Sequence, residues 1–543
     1  MMSSQVTVVM AQIDPVVGDI LGNTQRIILA CQQAKNEQSA DIVVFPEMTI
    51  TGYPPEDILL RDGLFPQVNQ ALSTICEQIT DVVCVVGYPM KDQLGECFNM
   101  VAWIEEGMIQ ASYMKQNLPN YSVFDEQRYF EAGDRPCVVE FKGICFGLLI
   151  CEDIWKISPV TQAKEAGAEV ILSLNASPFS AEKHQDRLKM IQRRVDEVGL
   201  PVIYVNQVGG QDELVFDGGS FAMNVLGDVC VQSPEFATAL TPVILVKQGQ
   251  TVGLKQGEMA ELYEDEARVY QALKMGLRDY VVKNGFSEVL LGLSGGIDSA
   301  LTLALAVDAL GADKVEAVMM PFRYTADISK HDAAQQAKML NVCYHSIPIE
   351  ETYIAFEQAL SSRFEGMEED VTEENLQARI RGTMLMAISN KCGKLVLATS
   401  NKSEVAVGYS TLYGDMVGGF SPLKDIPKTL VYRLAEYRNT ISPAIPERVI
   451  TRAPTAELRP NQEDQDSLPE YDVLDTIIKA YVKEDKTPDQ ICALGIPEEE
   501  VRRVIKMIDR NEYKRRQAAP GVKITHRAFG RDRRYPITSG YSE

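Results

Sequence analysis

The chain of 543 residues lacks the features that mark secreted and membrane proteins. Its first residues, MMSSQVTVVM, contain no basic stretch followed by an apolar run and a small-residue cleavage site. No apolar run approaches the ~20 residues of a membrane span. The eleven cysteines are scattered singly with no CxxC pair, so neither a disulfide framework nor a zinc ribbon is indicated. We therefore expect a reducing, cytoplasmic compartment and no membrane partner.

Positive charge is also scarce. The 53 Lys and Arg stand against 76 Asp and Glu, a formal net charge of −23. Such an acidic chain argues against non-specific binding to nucleic acid or to an anionic membrane, although a locally positive pocket can still bind a nucleotide. The 45% of hydrophobic residues is typical of a globular protein, and the length predicts two or three domains.

The first part of the chain alternates β-branched runs with amphipathic segments, which indicates a layered α/β domain. The predicted strands are Val6–Met10, Asp41–Phe45, Val82–Gly87, Asn99–Ile104, Ile144–Ile150, Val170–Leu174 and Val202–Val205. The predicted helices are Asn23–Lys35 and His184–Val198.

A polar stretch at Lys247–Lys255 indicates a domain edge. We predict a first domain over residues 1–250, a linker over 251–265 and a second domain over 266–543. The second domain begins with a long helix at Glu261–Lys283 and is again α/β. Its predicted strands are Glu288–Leu293, Val315–Met319 and Leu395–Ala398.

Three charged segments stand out in the second half. Glu350–Glu374 carries nine acids against one Arg, and Asn461–Asp472 carries five acids and no base. Both are predicted to be solvated or mobile loops. Lys514–Arg534 has eight Lys and Arg against one Asp. We interpret this basic tail as a closure over an anionic nucleotide site or as a subunit contact, because it is too small a footprint for nucleic acid.

The apolar run Ile144–Ile150 ends abruptly at Cys151, which two acids follow. A cysteine at such a strand end is held rigidly, with backbone N–H groups available to a developing oxyanion. The alternative is a small buried hydrophobe. Glu47 also ends an apolar strand, where desolvation would raise its pKa toward that of a useful base. Lys115 follows a third strand and could stabilise a thiolate or an oxyanion, although a lone Glu or Lys at a strand end is more often a solvated cap.

Taken together, Glu47, Lys115 and Cys151 with their flanking sequences resemble the nitrilase superfamily over residues 5–240. The run KQNLPNYSVFDEQRYF resembles the glutaminase branch that is attached to NAD synthetases. The resemblance implies an α-β-β-α sandwich in which Cys151 attacks the glutamine side-chain amide, Glu47 is the base and Lys115 stabilises the tetrahedral state. It further implies glutamine-binding roles for Tyr121, Ser177 and Lys183, and an additional acid at Glu126.

The segment EVLLGLSGGIDSALTLAL predicts a strand, a tight glycine turn and an apolar helix. Its glycines allow a close backbone approach, and the hydroxyls and N–H groups at the helix N-terminus can hold phosphates. A Gly-Gly turn alone is usually structural, and this loop is not a Walker A motif. The motif SGGIDS nevertheless resembles the pyrophosphate loop of enzymes that adenylate a carbonyl oxygen. The candidate ATP-binding residues here are Ser294, Gly295, Gly296, Asp298 and Ser299.

The stretch from Ala398 to Lys428, with the later PTAEL, resembles NAD synthetase across residues 266–543. The resemblance implies a Rossmann-like parallel-sheet domain in which Asp298 and Glu404 hold Mg²⁺ on the triphosphate. It places Thr399 and Lys428 on ATP. It assigns the deamido-NAD side to Arg379, Arg381, Glu404 and Asp415. Ser400 stands where many relatives have glycine.

These resemblances imply one C–N-bond-forming ligase with two coupled reactions. Glutamine supplies ammonia, which reacts with deamido-NAD after ATP has adenylated it, releasing AMP and pyrophosphate. Mg²⁺ is the expected cofactor, ATP is a substrate, and a homo-oligomer, at least a dimer through the synthetase domain, is expected. The alternatives are an amidotransferase for another carboxylate, which the Glu404–Lys428 stretch disfavours, and a regulatory scaffold with dead sites.

Overall fold

The computed structural model describes residues 4–460, 462 and 464–541. It divides into two compact units, Met1–Tyr263 and Glu264–Glu543, which are described separately. Among the described helices, none is both long enough and apolar enough to span a membrane. All eleven cysteines are free.

The first unit is built from strands and a smaller number of helices. The strands are β1 (Ser4–Gln12), β2 (Ile42–Val44), β3 (Val83–Lys91), β4 (Cys97–Glu105), β5 (Met108–Met114), β6 (Val138–Phe141), β7 (Ile144–Ile150), β8 (Val170–Asn175), β9 (Val202–Asn206), β10 (Val208–Gln211), β11 (Leu214–Asp217), β12 (Phe221–Met223), β13 (Val229–Gln232), β14 (Ala239–Gln248) and β15 (Thr251–Leu254). The helices are α1 (Ile20–Gln38), α2 (Leu64–Gln78), α3 (Glu152–Trp155), α4 (Ile157–Glu165) and α5 (Lys183–Val198).

Thirteen of these strands form two large sheets, of order β15-β14-β1-β2-β3-β4-β5 and β13-β12-β9-β8-β7-β6, and β10 and β11 pair separately. Because successive side chains of a strand face opposite ways, β1 serves two cores. Val6 and Val8 pack into the core that also contains the β7 and β8 side chains. Val9 and Ala11 point to the other side, into the core with α1 and α2. With α4 against β7, this arrangement confirms the predicted α-β-β-α sandwich.

The prediction of a linker from residue 251 is wrong for its first residues. Thr251–Leu254 form β15, which pairs antiparallel with β14 at the edge of the first sheet. Val252 is buried, whereas Thr251 and Gly253 are exposed. Because an edge strand buries only one of its two faces, alternate residues of β15 face solvent and its sequence appears polar. Gly249, at φ +65°, makes the turn between the two strands.

The second unit contains mostly helices around a small sheet. The strands are β16 (Val289–Gly292), β17 (Val315–Met319), β18 (Cys343–Ser346) and β19 (Leu395–Leu397). The helices are α6 (Asp265–Lys283), α7 (Ile297–Leu310), α8 (Asp327–Leu340), α9 (Glu350–Leu360), α10 (Val371–Cys392), α11 (Lys402–Val407), α12 (Lys428–Ile441), α13 (Glu447–Thr451), α14 (Tyr471–Ile478) with a π-turn at Lys479–Lys483, α15 (Pro488–Cys492), α16 (Glu498–Arg510) and α17 (Glu512–Arg515).

The small sheet is fully parallel, with order β18-β17-β16-β19. The chain moves from β16 to β17 and β18 on one side and then returns to β19 on the other. Ligands of open parallel sheets bind at the carboxyl ends of the strands where this order reverses. The glycine turn after β16 and the loop after β19 lie at this point, which confirms the predicted Rossmann-like architecture.

The acidic segments are more ordered than predicted. Glu350–Leu360 is a helix, and Asp370 and Glu373 form a capping box at the start of α10. These acids therefore serve helix N-termini, where negative charge is favourable. In the second acidic segment, Asn461 and Glu463 lie outside the described residues, and Asp464 is buried and accepts a hydrogen bond of 2.8 Å from Tyr471. The predicted helix at Glu261 begins instead at Asp265.

The basic tail is paired within the second unit. Arg515 and Arg533 lie 2.9 and 3.0 Å from the same Glu512 carboxylate oxygen, and Arg527 pairs with Asp485. Phe529 packs into the core with α14 and α16. The charges of these arginines therefore stabilise the fold of this unit, and the predicted closure or subunit contact stays a prediction.

Two candidate active sites

Cys151 lies at the junction of β7 and α3, in a strained backbone conformation. Its φ of 44° and ψ of −97° are rare for any residue with a side chain. Its N–H donates to Leu174 on β8 at 2.9 Å, which fixes the turn to the sheet edge. The residue is 6% exposed. The rigid placement that the sequence predicts for a nucleophile is present.

Glu47 and Lys115 meet beside this turn in a network of buried charges. The Lys115 Nζ donates to Glu47 Oε1 at 2.7 Å and to both oxygens of Glu126 at 2.8 Å. Tyr53 donates to Glu126 Oε1 at 2.7 Å. Each of these residues is buried. The geometry thus brings the predicted additional acid, Glu126, directly onto Lys115.

The pKa shifts of Lys115 and Cys151 indicate which of the two groups is charged. Burial opposes the Lys115 ammonium, but the Glu126 and Glu47 carboxylates outweigh it and raise the pKa of Lys115 well above its ordinary value. Burial and then Glu47 raise the pKa of Cys151, against the effect of Lys115. Cys151 is therefore a thiol at rest and needs a base at the moment of attack, while Lys115 stays charged.

Further polar groups, which were not among the predicted site residues, orient this network. Asn99 on β4 donates to Glu47 Oε1 at 2.8 Å, and the Ala176 N–H donates to Glu47 Oε2 at 3.2 Å. Asp153, two residues after the cysteine, accepts from Tyr113 at 2.8 Å and from the Asn117 N–H at 2.8 Å. Asp153 thereby ties the loop after Lys115 to the cysteine turn. The two acids that follow Cys151 are the one sequence signal that points to Asp153.

The predicted glutamine-binding residues differ in burial and in their partners. Tyr121 is 54% exposed and donates to Glu152 at 2.8 Å. Ser177 is buried beside Arg187. Lys183 Nζ lies 4.2 Å from the ring centre of Trp155, and burial lowers the pKa of Lys183. A desolvated cation that no described carboxylate within 4 Å neutralises suits a substrate carboxylate.

The pKa of Glu126 leads to a testable pH dependence. Burial raises the pKa of Glu126 to about 7, against the opposing charge of Lys115. Above that pH the carboxylate supports Lys115, and below it Glu126 takes up a proton and no longer attracts the Lys115 ammonium. We expect kcat/KM for glutamine hydrolysis to fall as the pH drops through about 7.

A Glu126→Gln variant should lower that kcat/KM by about 10- to 100-fold, the loss of one charge-assisted hydrogen bond, and remove the acid limb. Steady-state ammonia release between pH 5.5 and 8.5 measures both effects. Glu140→Gln, an exposed change on β6, is the control. An unchanged acid limb in Glu126→Gln would exclude Glu126 as the titrating group.

The second site is a cavity of about 290 Å³ at the reversal point of the parallel sheet. The predicted residues that line it are Ser294, Gly296, Asp298, Ser299, Thr399, Arg381, Glu404, Asp415 and Lys428. Gly295 does not line the cavity. A Cβ at Gly295 would come 2.4 Å from the Ser329 carbonyl oxygen, so glycine is needed there for the turn itself. Thr455, Glu457 and Asp464 line the cavity but were not among the predicted site residues.

The glycine turn presents its polar groups to this cavity. The Gly296 N–H donates to Ser294 Oγ at 3.2 Å, and Ser294 Oγ lies 3.0 Å from Ser299 Oγ. Helix α7 begins directly afterwards, so its positive end faces the same space. The arrangement is suited to phosphate oxygens.

Two carboxylates and one lysine meet across the cavity. Lys428 Nζ lies 2.6 Å from Asp298 Oδ2 and 3.1 Å from Glu404 Oε1, and Asn401 donates to Asp298 Oδ1 at 2.8 Å. Burial raises the pKa of Glu404 to about 8, against Lys428. The opposite charges of Asp298 and Glu404 raise the pKa of Lys428 despite its burial.

The residues predicted for the deamido-NAD side do not all face the cavity. Arg381 lines it and donates to the Met320 carbonyl at 3.0 Å, and burial lowers the pKa of Arg381 to about 10. Asp415 also lines the cavity, and burial raises its pKa to about 6. Arg379 does not line the cavity and donates to the Leu412 carbonyl at 3.2 Å.

The first unit therefore has the layered fold of a carbon–nitrogen hydrolase, with a glutamate and a lysine in contact beside a strained cysteine turn, and the second has a glycine turn on a parallel sheet. Residues 7–248 match the model of the carbon-nitrogen hydrolase family, and residues 269–518 match the model of NAD synthase. The chain is 50% identical to the glutamine-dependent NAD(+) synthetase of Acinetobacter baylyi over 98% of each chain. It is 47% identical to that of Xanthomonas campestris over the full length of both.

Solved structures agree with this assignment. The glutamine-dependent NAD+ synthetase of Acinetobacter baumannii, in complex with ADP, is 48% identical and superposes with a TM-score of 0.81 over 98% of each chain. That of Cytophaga hutchinsonii, at 22% identity, shares the fold with a TM-score of 0.86 over 99% of this chain and 98% of its own. The chain belongs to the glutamine-dependent NAD(+) synthetase family, which confirms the family, fold class and enzyme class predicted from the sequence.

Proposed function

We propose that the first unit hydrolyses glutamine at Cys151 and that the second unit uses the ammonia, with ATP, to convert deamido-NAD to NAD. The observation that carries the first half is the buried contact of Lys115 with Glu47 and Glu126 beside the strained Cys151 turn. The cavity beside the glycine turn carries the second half. The full-length relatives named above support the combination.

In the first reaction Cys151 attacks the side-chain carbonyl of glutamine, and Glu47 takes the thiol proton. That proton is then passed to the departing nitrogen, so that ammonia leaves and a thioester remains. Lys115 stabilises the negative charge on the attacked oxygen. Water, deprotonated by Glu47, then hydrolyses the thioester to glutamate.

In the second site the glycine turn and Lys428 are proposed to bind the phosphates of ATP, with Thr399 at the nucleotide. The relative from Acinetobacter baumannii was solved in complex with ADP, which supports nucleotide binding by this family member too. The donor set fits Mg²⁺, because two carboxylates already converge on one cation, the Lys428 ammonium. Asp298 and Glu404 would hold the ion, which when bound neutralises charge on the pyrophosphate.

The product assay tests this proposal directly. The protein is incubated with glutamine, Mg-ATP and deamido-NAD, and we expect glutamate, NAD, AMP and pyrophosphate in equal amounts. A different carboxylate acceptor, the alternative amidotransferase reading, would leave deamido-NAD unchanged. ADP and phosphate instead of AMP and pyrophosphate would contradict adenylation.

Ammonia is proposed to pass between the sites without release to solvent, where protonation at neutral pH would remove its nucleophilic lone pair. Labelled glutamine in the presence of unlabelled ammonium tests this. Label retained in NAD supports direct transfer, and full dilution of the label excludes it.

The homo-oligomer, at least a dimer through the synthetase domain, and the cytoplasmic compartment remain predictions. Sedimentation velocity measures the first.

Arg381 is the residue we expect to matter most for the dinucleotide substrate. Its cationic guanidinium lines the cavity, and no described carboxylate lies within 4 Å of it. Arg381→Met should raise KM for deamido-NAD about 10- to 100-fold, as expected for loss of a charge-assisted hydrogen bond. Arg379→Met, two residues away and outside the cavity, is the matched control and should change KM little. Equal effects of the two substitutions would contradict the assignment.

A further inference from the structure

The loop after β8 connects the two predicted components of the glutamine site. The Ala176 N–H donates to Glu47 Oε2 at 3.2 Å, and Ser177, the next residue, is a predicted glutamine contact. The position of this short segment therefore sets both the orientation of the base and the position of the substrate. The residues that hold this segment in place take no part in the proposed reaction.

Arg187 on α5 holds this segment through hydrogen bonds. It is 1% exposed and lies one helical turn after Lys183. Its Nη2 donates to the Ser177 carbonyl at 2.8 Å and to the Pro178 carbonyl at 3.3 Å, and its Nε donates to Ser177 Oγ at 3.2 Å. A planar guanidinium with this many fixed donors orients the segment more tightly than a lysine would.

Asp217 in turn orients Arg187. The Arg187 Nη1 lies 2.8 Å from each Asp217 oxygen, and Asp217 is 0% exposed at the end of β11. Asn206 completes the arrangement, because its Oδ1 accepts the Ser177 N–H at 2.9 Å and its Nδ2 donates to the Gly218 carbonyl at 3.0 Å. The Arg187–Asp217 ion pair thus joins the segments after β8 and β11, and the Asn206 side chain at the end of β9 joins the same two segments.

The surroundings of Asp217 also contain a possible metal-ligand set. Ligand atoms of His184, Asp217 and Glu235 lie within 4.8 Å of one another. However, Arg187 already occupies both Asp217 oxygens, and Glu235 Oε2 accepts the Tyr263 N–H at 3.0 Å. The positive charge that a metal ion would bring is supplied by the guanidinium, so the contacts favour a positioning role over a metal site.

We propose that Arg187 and Asp217 are positioning residues for glutamine use, a role that rests on the proposed function. They do not touch the reacting atoms. They hold Ser177 and the Ala176 N–H so that the substrate and Glu47 keep their places around Cys151. The pair therefore acts on glutamine-driven NAD formation and leaves ammonium-driven NAD formation unaffected, because ammonium bypasses this site.

The experiment compares Arg187→Lys and Asp217→Asn with the wild type in the full chain. We expect KM for glutamine to rise about tenfold or more, whereas kcat with ammonium salts stays at the wild-type value. Arg194→Lys is the matched control, since Arg194 is a buried arginine on the same helix that pairs with Glu197 and does not contact Ser177. Circular dichroism first establishes a temperature at which every variant is folded.

Alkylation of Cys151 separates positioning from general damage. A chloroketone analogue of glutamine must bind in the substrate site before it alkylates Cys151. Iodoacetamide alkylates a thiol without binding in that site. The variants should slow alkylation of Cys151 by the chloroketone more than they slow its alkylation by iodoacetamide, because only the chloroketone depends on the substrate-binding residues as well as on Glu47. Wild-type KM in both variants would overturn the proposal, as would a parallel loss of glutamine-driven and ammonium-driven activity. Absence of glutamine hydrolysis in the wild type would instead refute the proposed function itself.

Discussion

A Cys151→Ala variant is expected to lose glutamine-driven NAD formation by on the order of 10⁴-fold or more while it keeps ammonium-driven NAD formation. The thiol is the group that forms the thioester, and neither Glu47 nor Lys115 can replace it. Removing one sulfur from a residue that is 6% exposed leaves the second unit, a separate compact body, unaltered. NAD is measured with glutamine and with ammonium chloride as alternative nitrogen sources.

Cys145→Ala is the matched control for this variant. Cys145 lies near the start of the same strand, β7, six residues before the turn, and its N–H donates to Glu169 at 3.0 Å. It should retain both activities. If Cys151→Ala kept glutamine-driven activity, the nucleophile assignment would be wrong. If it lost both activities, the division of labour between the two units would be wrong.

The predictable part of the first site consists of residues that end strands. Glu47, Lys115 and Cys151 each follow an apolar run, and the carboxyl ends of neighbouring strands meet at one edge of a layered fold. Their proximity therefore follows from local patterns. Asn99 and the Arg187–Asp217 pair were not predictable, because their partners lie 52 and 30 residues away and no local pattern marks them.

The second unit shows the same division. The glycine turn after β16 was predictable, since a strand, two glycines and an apolar helix are contiguous in the chain. The Lys428 contact with Asp298 joins residues 130 apart and depends on how α12 packs on α7. The edge strand β15 was mistaken for a linker for a related reason. Its polar residues look like loop residues unless the pairing with β14 is known.

An Asp298→Asn variant is expected to lower NAD formation by about 10²- to 10³-fold with either nitrogen source, the range for removal of one electrostatic stabiliser. The substitution keeps the shape of the side chain and an oxygen that can accept from Asn401. It removes the negative charge that faces Lys428 at 2.6 Å and, in the proposed function, Mg²⁺. Both nitrogen sources fail together because the defect lies in activation of the acceptor and not in the supply of ammonia.

Two measurements restrict the interpretation of that loss. Thioester formation from labelled glutamine, quenched with acid in a single turnover, should persist because Cys151 is untouched. Asp308→Asn is the matched control: Asp308 is on the same helix, α7, outside the cavity, where it accepts from Arg438 at 2.6 Å and from Tyr270 at 2.7 Å. That variant should lower the melting temperature and keep kcat. A folded Asp298→Asn variant with normal ammonium-driven activity would exclude Asp298 from the nucleotide site. If activity fell with glutamine but not with ammonium, the defect would lie in the supply of ammonia. Lys428 would then be only a structural counter-ion of Asp298.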